Sequence, residues 1–129
     1  MIALTGLDHL VLTVSDLRAT VDFYERVLGM RAFTFAGGKR TALAFGEQKL
    51  NLHELGREHL PNAAVARPGT ADFCLLTGTP LDEVVAHLAA CGVELERGPD
   101  AADGAQHPLR SVWFRDPDSN LVEVANAQP

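Results

Sequence analysis

The chain is short of several things, and each shortage excludes something. It has two cysteines, Cys74 and Cys91, and no Cys-x-x-Cys pair. That is no disulfide framework, and it suits a reducing compartment with two buried thiols. Cys74 is expected in a strand and Cys91 at a helix end. No apolar run approaches the roughly 20 residues that span a bilayer. The N-terminus lacks the charged and then apolar pattern of a secretory signal. The expected location is cytoplasmic, with no membrane partner. Basic residues are outnumbered, 11 Lys and Arg against 17 Asp and Glu, and the formal net charge is −6. No basic run stands out, so a phosphate backbone is poorly attracted and nucleic acid is not an expected partner. What remains is a soluble-type composition, 47% hydrophobic over 129 residues. That is enough for one compact domain, or two small modules sharing a core.

The first module opens on LDHLVLTVSDLRATVDFYERVLG, residues 7–29. Period-two alternation predicts a strand over 7–14, with Leu10, Leu12 and Val14 on one face. His9 falls on the other face with Leu7, Val11 and Thr13. Ser15 and Asp16 are helix N-cap types, and Leu17, Val21, Tyr24 and Leu28 recur at helical spacing. Gly29 suits a left-handed C-terminal cap. Strands are predicted at 31–36 and 40–45 around the turn residues Gly37 and Gly38. A fourth is predicted at 49–54.

A shift of 63 residues carries Gly29 onto Gly92 and His9 onto Asp72. The second module then has a strand over 70–77 and a helix capped by Thr79, with Pro80 at its first position. Leu81, Val84, Val85 and Leu88 form its apolar stripe. Strands are predicted near 93–97, 110–115 and 120–126, with 98–108 as a loop and Asp116-Pro117-Asp118 as a tight turn. The organisation is α+β, βαβββ twice. The modules cover about 5–54 and 70–126, and the linker 55–69 carries Pro61, Pro68 and Gly69.

Polar residues interrupt these strands at matching places. His9 and Asp72 lie on the first strands. On the last strands Asn51 and His53 share one face, and Glu123 shares another with Leu121 and Ala125. Superposing the turns before these strands puts Asn51 opposite Glu123. A charged Glu on an apolar strand is costly unless it is paired or metal-bound. Imidazole and carboxylate together suit Zn, Ni, Mn or Fe(II), and a set with open positions leaves room for substrate. Plainer roles stay open for each. His9 can be a core or surface histidine, Glu123 can face solvent from an edge strand, and His53 can cap a strand end. Asp72 can be a turn residue, and Asn51 can bond backbone. His59, His87 and His107 are expected at the surface of linker, helix and loop.

The opening strand and helix, with the closing FRDPDSNLVEV, resemble the vicinal oxygen chelate superfamily of glyoxalases, bleomycin- and fosfomycin-resistance proteins and extradiol dioxygenases. FGEQKLNLHELG is similar to a glyoxalase-domain subgroup. The resemblance implies a cupped mixed sheet built from paired βαβββ modules. It also implies a divalent metal held by first-strand His and last-strand Glu residues, here His9 and Glu123. The sequence departs from the pattern in carrying Asp72 where many members have His, and Asn51 where glyoxalases have Glu. His53 or Asp72 would then complete the set. The expected function is a metal-dependent lyase, isomerase or dioxygenase acting on a small oxygenated substrate through bidentate chelation. Asn51, Arg110 and Trp113 are candidate substrate contacts, and no general base is assigned. The alternative is a metal-free protein that binds or sequesters a small molecule. A homodimer is expected, because small paired sheets leave apolar edges that a second chain can cover.

Overall fold

A computed structural model describes all 129 residues. The chain divides into two compact units, residues 1–68 and 69–129. Each is a βαβββ module whose helix packs on one side of a four-stranded mixed sheet.

In the first unit the elements are β1 (His9–Val14), α1 (Leu17–Leu28), β2 (Arg31–Phe35), β3 (Arg40–Phe45) and β4 (Gln48–Glu54). The sheet order is β1-β4-β3-β2. β1 and β4 run parallel and the other pairs are antiparallel. Alternation explains the core. Leu12, Val14, Leu43, Leu50 and Leu52 share the helix-covered face and are buried, as are Tyr24, Val27 and Met30. Each such side chain contributes roughly 1.5–3 kcal/mol when fully buried. Asp16 caps α1 by accepting the Ala19 N–H. Gly29 ends it in the left-handed conformation, its N–H returning to the Glu25 carbonyl.

The second unit repeats this plan with β5 (Asp72–Leu76), α2 (Leu81–Ala90), β6 (Arg97–Asp103), β7 (Pro108–Arg115) and β8 (Leu121–Ala127), in the order β5-β8-β7-β6. Its core is Leu81, Leu88, Val112, Phe114, Val122 and Val124. The registers correspond. His9 pairs with Lys49 as Asp72 pairs with Leu121, and Val11 pairs with Asn51 as Cys74 pairs with Glu123. The turn before β8 is tied by Asp116, which accepts from the Asp118 and Asn120 N–H groups and from the Asn120 side chain.

Three expectations are corrected. The strand expected near 93–97 lies later in the chain and 98–108 is not simply a loop, because β6 covers Arg97–Asp103 and residues 93–96 are outside any strand. Gly98 and a register shift between Arg97 and Asp100 hide its alternation. Thr79 does not cap α2. Asn126 of β8 does, accepting the Leu81 N–H while its amide donates to the Thr77 and Thr79 carbonyls. The corresponding bond in the first unit runs from the Leu17 N–H to Glu54. Nor are the thiols fully buried, Cys74 being exposed and Cys91 intermediate. No helix is long and apolar enough to cross a membrane.

Candidate functional site

Each sheet has a face turned away from its helix, and the strand registers decide what it displays. In the first unit Phe33 and Ala42 are aligned with Asn51 and Val11, and Arg31 and Ala44 with Lys49 and His9. Phe35 is aligned with Arg40, and Thr13 with His53. Side chains aligned across a sheet point the same way. The open face therefore carries Arg31, Arg40 and Lys49, the rings of Phe33 and Phe35, both candidate histidines and Asn51.

Arg40 is bonded to His53. One guanidinium nitrogen (Nη2) lies 3.1 Å from His53 Nε2. Arg40 has no acceptor to offer, so Nε2 accepts and the ring proton sits on Nδ1. His53 is 3% exposed. Burial, the Arg40 cation and His59 hold its pKa below the usual histidine value, against a smaller opposite pull from Glu58. The His59 ring lies 5.4 Å from that of His53, so His59 is more than a surface residue of the linker. Asn51 is equally buried. Arg40 Nε, Asn51 Oδ1 and His53 Nδ1 are buried without a hydrogen-bond partner. His9 is more open. Its Nδ1 lies 2.8 Å from Asp8 Oδ1. That bond, above all, lowers the Asp8 pKa.

In the second unit Glu123 lies between Cys74 on β5 and Trp113 on β7. Although the residue is exposed overall, partial burial of its thiol, then the Glu123 charge and a hydrogen bond to it, push Cys74 up to about 12. The thiol thus acts as a donor to the carboxylate and is not a nucleophile near neutrality. Glu123 Oε2 is buried and has no partner. A cavity of about 380 Å³ opens here, lined by Cys74, Leu76, Asp103, His107, Leu109 and Glu123 among others. Trp113 supports Arg97, whose guanidinium lies 4.9 Å from the ring centroid. Asp72 is exposed, and its charge reaches Arg115. Arg110 points to the other face, where it meets Asp82 of α2 at 3.6 Å. Alternation places it there, opposite to Glu123, so Arg110 does not share the Glu123 face as a pocket residue must.

The metal implied by the resemblance can be tested against these donors. His9 fits: a carboxylate on Nδ1 leaves Nε2 as the lone-pair nitrogen, the usual arrangement behind a ligating histidine. Glu123 fits by its unpartnered oxygen. His53 does not fit, because Nε2 already faces a guanidinium and Nδ1 carries the proton. Nowhere do three His, Cys, Asp or Glu side chains form a group able to hold an ion. Of the four candidate donors His9 and Glu123 therefore suit an ion by their own surroundings, whereas Asp72 is exposed with its charge toward Arg115.

Residues not singled out from the sequence as site candidates are Arg31, Phe33, Phe35, Arg40, Lys49 and Cys74. The signal was present, since the alternation of RAFTF puts Arg31, Phe33 and Phe35 on one face. What alternation leaves open is which face the helix covers.

The model of the Glyoxalase/Bleomycin resistance protein/Dioxygenase superfamily matches residues 6–124. A virulence protein of Salmonella typhimurium is 45% identical over 119 residues, 92% of this chain and 82% of that protein. A glyoxalase domain-containing protein of Mycosarcoma maydis is 41% identical over 127 residues, 98% of this chain and 71% of that protein. Among solved structures, an integron cassette protein from the mobile metagenome of V. cholerae superposes with a TM-score of 0.96 at 48% identity, covering 99% of both chains. On the family match and the two relatives, this chain belongs to the Glyoxalase/Bleomycin resistance protein/Dioxygenase superfamily.

Proposed function

We propose that this chain binds a small oxygen-rich molecule on the open faces of its sheets. One observation carries the reading: five polar atoms on those faces are buried with no partner, Arg40 Nε, Asn51 Oδ1 and His53 Nδ1 on the first sheet and Ser111 Oγ and Glu123 Oε2 on the second. A buried polar group left unpaired costs about 1–3 kcal/mol. A guest that satisfies such groups recovers that cost on binding. Apolar surroundings with a few directed polar groups are the usual composition of a small-molecule site. The family's name joins two enzyme classes with a resistance protein, so membership does not choose between catalysis and binding.

A second reading keeps the ion. It is favoured by the Asp8 bond that orients His9 and by the free oxygen of Glu123. In it, His9 on the first unit and Glu123 on the second would each offer a ligand to a divalent cation, which when bound would supply Lewis-acid stabilisation to a substrate oxygen in lyase, isomerase or dioxygenase chemistry. Asp8 would orient the His9 ring, and the Cys74 thiol would orient the Glu123 side chain.

Calorimetric titration with Mn²⁺, Ni²⁺ and Zn²⁺ separates the two. The small-molecule reading expects no stoichiometric binding of an ion, and ligand-observed NMR should find hydroxy-carbonyl or carboxylated compounds that bind without one. Tight stoichiometric binding that weakens at least about tenfold in Glu123→Gln, with His87→Ala as control, would replace the first reading by the second.

A further inference from the structure

We infer that the open face of the first sheet is a receptor for a small oxyanion, a carboxylate, phosphonate or phosphate on a small organic body. The inference rests on the small-molecule reading above and names its ligand class.

Charge is segregated on this face. The strand positions that share it are His9, Val11, Thr13, Arg31, Phe33, Phe35, Arg40, Ala42, Ala44, Lys49, Asn51 and His53. Three are fixed cations and none is acidic, in a chain whose net charge is −6. The cations are also not spent on each other's neighbours. No carboxylate comes within ion-pair distance of Arg31, Arg40 or Lys49. They rest on rings instead. Lys49 Nζ lies 4.1 Å from the Phe35 centroid, and the Arg40 guanidinium lies 5.1 Å from the same ring. Arg31 lies 5.7 Å from that of Phe33. A ring face steadies a cation without neutralising it. Two acids are felt nearby. Asp8 is felt by Lys49 but is bonded to His9. Glu58 is felt by His53 but takes the Gly56 N–H.

The unpartnered atoms add direction to the charge. Two of the three, His53 Nδ1–H and Arg40 Nε–H, are donors that lack an acceptor, while Asn51 Oδ1 is an acceptor that suits a hydroxyl on the body of the same molecule. The Arg40–His53 bond fixes the ring tautomer and leaves the imidazole a donor on its other side. Donors and fixed cations on one face recognise acceptor oxygens that carry negative charge. A neutral hydroxyl or a cation gains less from them. Phe33 and Phe35 offer an apolar surface for the rest of the molecule.

The test is titration of the whole chain, by NMR and calorimetry, with phenylphosphonate, benzoate and neutral benzyl alcohol at low and high salt. Wild type is compared with Arg40→Gln, Lys49→Gln and the control Arg26→Gln on α1. At least one anion should bind, more weakly as salt rises. Loss of a charge-assisted contact should weaken it about tenfold or more in Arg40→Gln, less in Lys49→Gln and not at all in Arg26→Gln. Which anion binds distinguishes the carboxylate source from the phosphorus oxyacid source. Should Arg40→Gln lose its fold, Lys49→Gln alone carries the charge test. The inference is overturned if neither anion binds, or if neither variant that folds weakens the anion. It is also overturned if benzyl alcohol binds as tightly as the anions, in which case the small-molecule reading itself still stands.

Discussion

His53 concentrates the chemistry of the first unit in one side chain. It is buried, it accepts from a guanidinium, and its other nitrogen has no partner. The same surroundings make it a determinant of stability against pH. The unfolded value is about 6.5, and the folded value is lower, through burial first and then Arg40 and His59. Above 6.5 the ring is neutral in both states. As pH falls below 6.5, the unfolded chain takes a proton that the folded chain refuses, so stability declines until pH passes the folded value. His53→Asn keeps an acceptor for Arg40 and removes the titration. Urea unfolding between about pH 7.5 and about pH 5 should show a shallower loss of stability in the variant. Identical slopes would mean that His53 titrates alike in both states. His53 was visible in the sequence as a polar residue on a strand. Its partner was not, because nothing local joins residue 40 to residue 53.

At the level of elements, the strands and helices with clean periodicity were legible and the irregular ones were not. α1 carries its own N-cap and its own C-terminal glycine, so its limits are written locally. α2 borrows Asn126 from β8 for its first N–H, a bond between residues 45 apart in sequence. β6 was missed because Gly98 sits at φ +98 beside the bulge. A Cβ there would meet the Ser111 carbonyl oxygen at 2.5 Å and the Val112 Cα at 3.0 Å. Both contacts are backbone and cannot swing away. Gly98→Ala should cost about 3 kcal/mol or more, combining left-handed strain with the clash. Gly29→Ala, with φ +65 and nothing within 4 Å, should cost only about 1 kcal/mol. Chemical denaturation of the two variants measures the difference. Equal losses would mean that the β6–β7 contact relaxes.

For the whole molecule, the unexplained surface is apolar. Leu10 and Val11 on β1 are 40% and 41% exposed, and Leu76 on β5 is 68% exposed. β1 and β5 are edge strands of their sheets. Open edges with apolar side chains are hazards that folded proteins cover. We propose a homodimer that covers them. Light scattering at micromolar concentration should give twice the chain mass of 13.9 kDa, and Leu76→Lys should shift it toward the monomer. A monomer mass for wild type ends the proposal.

By itself the sequence determined the repeated βαβββ plan, the turns, most element limits and the polar positions on the strands. These follow from alternation, helical spacing and capping residues, all of which act over a few neighbours. Tertiary structure decided which partner each polar residue meets. It turned Arg110 toward α2, placed Arg40 on His53, set the Cys74 thiol against Glu123, and gathered three cations on a face with no acid. Those pairings join strands far apart in sequence. They are set by sheet order and register, and a register is fixed only when the whole sheet has formed.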